Sequence, residues 1–218
     1  MASFYASSVG RKFLMALSAV FLIIFLIIHV SVNLVSVCSP EAFNEASEFM
    51  GKNGFIQFVG QPILFAGVIF HFVMGFILEI KNKQARGNVR YAVNSSSNAS
   101  WMSKNMIISG AVILLFIGLH LVNFWVPTVK AHYVEGVTPD YYEHLHEHFA
   151  NPIYTGVYIL AFIALALHLM HGFQSAFQSM GVNHKKYTPV IMKLGTAYSI
   201  IVPALFIFIA LFHFVKSL

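Results

Sequence analysis

The sequence predicts an all-α integral membrane protein: one domain over residues 1–218, built as a five-transmembrane-helix bundle with its amino terminus cytoplasmic. Three observations lead there. Of 218 residues, 58% are hydrophobic and only 10% charged, with a mean hydropathy of +0.73, whereas a soluble domain carries about a quarter charged residues. Five apolar windows reach the roughly 20 residues a helix needs to cross a hydrocarbon core about 30 Å thick. Basic and acidic residues alternate in side from one connection to the next. Such a chain is expected to have lipid around it and no nucleic-acid partner.

The windows are 12–37, 57–80, 105–128, 153–179 and 190–215. The first follows Arg11 and Lys12, and its Phe13–Ile28 stretch superficially resembles a signal peptide. No small-residue cleavage site follows, and the apolar run continues through His29 to Val37, so it reads as a retained span. The runs lack the even alternation of outer-membrane strands. Between spans two and three, residues 82–104 include the polar connector Asn94–Ser100. The connection 129–152 is the longest on its side and is expected to carry a short interfacial helix around Asp140–His148.

Loop charge sets direction. Arg11, Lys12, Lys81, Lys83, Arg86, Arg90, Lys104, Lys185, Lys186 and Lys193 are ten of the thirteen Lys and Arg residues, and all fall on one side. The positive-inside rule makes that side cytoplasmic. Seven of the eight acids (Glu41, Glu45, Glu48, Glu135, Asp140, Glu143 and Glu147) fall opposite. The amino terminus is thus expected inside and the carboxyl terminus outside.

His29, His71, His120 and His171 each sit deep in a different span. An ionisable side chain at membrane depth is costly and marks a function by default. At about 1.5 Å per residue, His29 and His120 each lie about 12 Å from the outer ends of their spans. His71 and His171 lie at a similar depth from the inner ends of theirs. Two depth-matched pairs on four helices are the ligand set for two bis-histidine haem irons, His29 with His120 outside and His71 with His171 inside. A Cys-x-x-Cys-His motif is absent, so such haems would be non-covalent, and the lone Cys38 forms no internal disulfide.

Other histidines compete with these four. His168 lies one turn before His171 and shares part of its face. His213 is expected to hydrogen-bond or snorkel near the outer end of span five. His144, His146 and His148 read either as a solvated interfacial segment or as a metal trap. Any single membrane histidine can also be an interhelical hydrogen bonder. So can Ser18, Asn33, Ser109 and Asn123, or they can support the haems. A histidine-lined proton or metal-ion transporter is a rival reading, but it predicts several ionisable groups in register on one span. The haem b anchor of a hydrogenase or formate dehydrogenase is another.

Four local sequences narrow the choice: Ser7-Ser-Val-Gly-Arg-Lys12, His29-Val-Ser-Val-Asn33, Gly118-Leu-His-Leu-Val-Asn-Phe-Trp125 and His168-Leu-Met-His-Gly-Phe-Gln-Ser-Ala-Phe-Gln178. Together they resemble the dihaem cytochrome b membrane anchor of the succinate dehydrogenase and fumarate reductase family, in its five-helix, single-polypeptide form. The resemblance implies axial ligands at His29, His71, His120 and His171, where the His-Gly dipeptide favours His171 over His168. It implies an electron-transfer role in a succinate:quinone oxidoreductase of the bacterial cytoplasmic membrane, with two haem b groups and menaquinone as the quinone. It further implies a flavoprotein subunit with FAD and an iron–sulfur subunit on the cytoplasmic face, which carry the dicarboxylate chemistry, and it allows a dimer of complexes. Some relatives have a glutamate two residues before the fourth ligand, linked to proton movement; here that position is Leu169, a departure from that route, and His168 is the neighbouring group that could substitute. Quinone chemistry needs a proton acceptor near the outer surface, and Glu48, then Glu45, are the nearest acids, with a solvated loop as the other reading of both.

Overall fold

In a computed structural model, residues 7–86 and 105–218 are described. The polar stretch Asn94–Ser100, Arg90 and Lys104 lie outside them. Among the described residues the structure is helical apart from short connections, with no strand.

Helix α1 spans Ser8–Cys38 and starts where the Ser7 side chain accepts the Gly10 amide at 2.9 Å. Ser39 is extended, ends α1 and caps α2, Pro40–Lys52, by accepting from the Ala42 amide at 3.1 Å. Hydropathy alone treats the stretch holding Glu45 and Glu48 as a loop. It is helical because Ser39 caps it, Pro40 opens it, and Glu41 and Lys52 oppose the helix dipole at its two ends. Helix α3 is Gln61–Arg86, led in by a π-helical turn at Ile56–Gly60.

Helix α4 forms a continuous apolar span over Met106–Glu135, longer than its hydropathy window because two π-helical turns, Leu121–Trp125 and Ala131–Glu135, extend it. Gly136, at φ 69°, ends it in the left-handed conformation open to glycine. The expected interfacial helix is α5, Tyr141–Ala150, capped by Asp140. Helices α6, Pro152–Ser179, and α7, Thr188–Lys216, complete five spans.

Four spans form a ring. Helix α1 packs on α3 and α6, and α4 packs on the same two, so α1 faces α4 and α3 faces α6 across the diagonals. Helix α7 lies outside the ring against α6 and α1. Close approaches are made at glycines: the Phe21 ring of α1 sits over Gly67 of α3, and the Phe173 ring of α6 over Gly195 of α7. Exposed side chains such as Ile63, Ile108, Leu115 and Leu160 face outward, as expected where lipid replaces water.

The best-buried core lies at the acidic end. There α2 and α5 close over the bundle, with Phe43, Leu145 and Phe149 packed against Tyr158, Phe162 and Phe206. Each large apolar side chain buried outside the bilayer is worth about 1.5–3 kcal/mol. Asn44 fastens the two short helices together, donating to the Asp140 carboxylate at 3.0 Å and accepting from the Tyr142 amide at 2.8 Å.

Candidate functional site

Both diagonals of the ring are bridged by histidine pairs. On the first, the rings of His29 (α1) and His120 (α4) stand 5.7 Å apart, centre to centre. Phe25 and Phe206 flank His29, and Phe116 and Phe124 flank His120. The Asn33 amide donates to the His29 carbonyl at 2.8 Å and lies 3.5 Å from His29 Nδ1. His120 Nδ1 is buried with no hydrogen-bond partner. Leaving a buried polar atom unpaired costs about 1–3 kcal/mol.

On the second diagonal, His71 (α3) faces His168 (α6), with ring centres 6.4 Å apart. His171, the sequence-based choice for this position, faces no ring and makes no side-chain hydrogen bond among the described residues. A Cβ on Gly110 of α4 would stand 3.6 Å from His168 Cε1, so the small residue leaves room for that ring.

The two facing rings are held alike. Ser18 of α1 donates to the Met15 carbonyl at 2.7 Å, which leaves its oxygen to accept from His71 Nδ1 at 3.1 Å. Ser109 of α4 donates to the Met106 carbonyl at 3.0 Å and accepts from His168 Nδ1 at 3.2 Å. A hydroxyl whose proton is committed elsewhere fixes the hydrogen on Nδ1 and leaves the Nε2 lone pair of each imidazole free to bind a metal. Ser18 and Ser109 each lie eleven residues before His29 and His120, so the two pairs are separated by roughly 16 Å along the bundle.

These residues fit haem. Neutral imidazoles from facing helices, aromatic walls and hydrogen bonds that set the tautomer are what axial ligation of a b-type iron requires. No carboxylate stands among them, and among the described residues no group of three His, Cys, Asp or Glu is placed to hold a free metal ion.

The remaining histidines have other partners. His144 Nε2 donates to the Asn123 carbonyl at 2.8 Å, while the Asn123 amide donates to Tyr158 Oη at 3.1 Å. His148 packs on Phe124 and Tyr154, and burial, then the charge of His144, hold its pKa down to about 4. It is therefore neutral at physiological pH. His213 is fully buried and hydrogen-bonded rather than snorkelling. The outer histidines thus do not converge on a metal.

Glu48 pairs with Lys52 one turn along α2, and that contact holds its carboxyl below the usual range. Nearby, Tyr141 Oη lies 2.8 Å from His132 Nε2, and burial followed by the negative charge of Glu48 pushes the phenol up to about 12. Gly51, Lys52, His132, Tyr133 and Thr138 line a small cleft beside them. Glu45 is exposed on the same helix.

Over residues 80–211 the chain matches the family described as succinate dehydrogenase/fumarate reductase transmembrane subunit. The chain belongs to that family. The succinate dehydrogenase cytochrome b558 subunit of Bacillus subtilis (strain 168) is 26% identical over 179 residues, 82% of this chain and 81% of the relative. No solved structure matches it. The chain is thus a transmembrane subunit of the succinate dehydrogenase/fumarate reductase family, with five helices long and apolar enough to cross a membrane among the described residues. The transporter reading and the hydrogenase or formate dehydrogenase anchor lose their support. His120, His168 and His171 fall within the matched stretch of this transmembrane subunit, and His29 and His71 precede it.

Proposed function

We propose that this subunit anchors a succinate dehydrogenase/fumarate reductase complex in a bacterial cytoplasmic membrane and passes electrons between menaquinone and an iron–sulfur subunit. Two haem b groups would be held by histidines of α1, α3, α4 and α6, and when bound they would supply one-electron carriers. His29 and His120 would hold the outer one. His71 holds the inner one, and the ring facing it supports His168 as its partner in place of the sequence-based His171. Ser18 and Ser109 orient the rings of His71 and His168, and the phenylalanines around His29 and His120 exclude water and lower the local dielectric.

Loop charge supports a cytoplasmic amino terminus. The basic end then receives the iron–sulfur and flavoprotein subunits, where dicarboxylate chemistry takes place on FAD. Menaquinone reacts at the acidic end, beneath α2 and α5. Glu48, and after it Glu45, accepts the quinol proton. Its paired carboxylate is ionised at neutral pH and so can take the proton up, though a base tuned nearer the working pH would hold it better.

The two facing histidine pairs carry this reading. Purified complex should show low-spin b-type absorption and two haems per chain by pyridine haemochrome. One haem per chain would remove a pair, and a colourless folded complex would refute the assignment. The quinone step is tested by the Glu45→Gln/Glu48→Gln double variant, which should slow quinol-linked turnover while haem content and dye-linked succinate oxidation stay intact. Unchanged quinol kinetics would discard both carboxylates.

A further inference from the structure

A second cluster lies at the acidic end and takes no part in holding either haem. His213 of α7 is fully buried, and both of its ring nitrogens are engaged. Nε2 lies 3.0 Å from Ser36 Oγ of α1, and Nδ1 lies 3.4 Å from Nδ1 of His146 on α5. Ser36 donates its proton to the Asn33 carbonyl at 2.7 Å, so its oxygen accepts from His213 Nε2. That leaves a lone pair on His213 Nδ1, which accepts from His146 Nδ1. The nitrogen left for one more proton is His146 Nε2, on a half-exposed ring stacked on Tyr142. Two imidazoles in this arrangement bind an additional proton as a unit, one cation hydrogen-bonded to its neutral partner.

The surrounding charges are few. Lys216 of α7 donates to Tyr142 Oη at 2.9 Å and brings a fixed positive charge to the cluster. Glu143 and Glu147 flank His146 along α5, exposed. Ser36 is the facing group from α1, and α6 carries no Asp, Glu, Lys or Arg along its length. Ser36 stands seven residues beyond His29 on α1, roughly 10 Å along the axis. At that separation through packed apolar side chains, a charge change at one site is felt at the other.

We propose that His146 and His213 form a redox-linked proton site, taking one proton from the acidic side when the iron held by His29 and His120 is reduced and returning it on oxidation. This rests on the haem assignment above. The electron comes from the complex's own electron-transfer chain and the proton from water at the acidic face. Reduction makes the iron site less positive, which favours the cationic pair.

The test is potentiometric titration of the haems in the intact complex between about pH 5.5 and 8.5, where histidine titrates. The midpoint of the His29/His120 haem should fall as pH rises in the wild type. His146→Gln and His213→Gln should each flatten that slope at unchanged haem content, and the His71/His168 haem should keep its own pH profile. If His213→Gln fails to assemble, the half-exposed His146→Gln decides alone. Haem present with the wild-type slope in the variants overturns the proton site only. Wild-type complex without haem overturns the haem assignment and the proton site with it.

Discussion

Ser18 holds the ring of His71: its oxygen lies 3.1 Å from His71 Nδ1 while its own hydrogen goes to the Met15 carbonyl. On the opposite side of the ring of helices, Ser109 does the same for His168, its hydrogen going to Met106. Each serine follows its carbonyl acceptor by three residues, so helix geometry alone makes the first bond. The second bond crosses between helices and sets which nitrogen of the imidazole faces the diagonal. Helices α1 and α4 therefore each supply one serine to the lower pair and one histidine to the upper pair.

Replacing Ser18 with Ala should weaken the inner haem selectively. The His71 N–H would lose its acceptor in an apolar site, and removing such a support typically lowers metal affinity roughly 10–100-fold. Haem content by haemochrome should drop toward one per chain on dilution or in detergent, with the His29/His120 spectrum retained. Equal loss of both haems would mean that Ser18 supports the bundle rather than one ring.

The sequence makes much of this legible. Five spans follow from hydropathy because lipid forces long apolar runs, and their ends move by only a few residues except at the carboxyl ends of α3, which runs on to Arg86, and of α4. There the π-helical turns at Leu121–Trp125 and Ala131–Glu135 prolong the helix, and no residue pattern announces them. Helix α2 hides from a hydropathy scan since it is amphipathic, although Ser39-Pro40-Glu41 is a legible start signal. The depth of His29 and His120 is enough to bring them together, for parallel helices of equal offset put them level. Depth cannot separate His168 from His171, which differ by less than one turn. Rotation about α6 separates them, and packing fixes that rotation. The matched spacing from Ser18 to His29 and from Ser109 to His120 is the signal that would have pointed to the serines.

Asp140 caps α5, accepting from the Glu143 amide at 2.9 Å and from Asn44. Those bonds, the Glu143 amide first, hold its carboxyl below the ordinary range. A carboxylate with a depressed folded pKa contributes stability above its unfolded value, about 3.9, and loses that contribution as pH falls through the folded one. Protection of the α5 amides, taken relative to their intrinsic exchange rate at each pH, should therefore be high at neutral pH and fall below about pH 4. Asp140→Ala should remove about 0.5–2 kcal/mol of helix stability at neutral pH and abolish that acid dependence. A variant exchanging as slowly as wild type would show α5 to be held by its apolar face alone.

Gly195 is the seat of the Phe173 ring: a Cβ built there would stand 2.6 Å from Phe173 Cδ1. An aromatic ring anchored on a neighbouring helix cannot fold away, so Gly195→Ala should force α6 and α7 apart at a cost of about 1–3 kcal/mol. Phe173→Leu should restore much of the loss in the double variant. Thermal inactivation of the detergent-solubilised complex reads this. Additive losses would show the two residues to be uncoupled.

The fourth ligand is decided by exchanging the two histidines of α6 one at a time. His168 faces His71 at 6.4 Å and has its Nδ1 hydrogen directed to Ser109, which leaves Nε2 on the diagonal. His171 has neither a facing ring nor a hydrogen bond to fix its tautomer among the described residues, and an unfixed imidazole makes a poor axial ligand. His168→Ala should therefore leave one haem per chain, the one at His29 and His120, while His171→Ala keeps both. His168→Met is the sharper variant, since a thioether can still ligate iron and raises the potential of the site it enters. A positive shift confined to the inner haem would identify His168 as its ligand. Loss of the inner haem in His171→Ala with both retained in His168→Ala would return the role to His171 and leave His168 as an interhelical hydrogen bonder to Ser109.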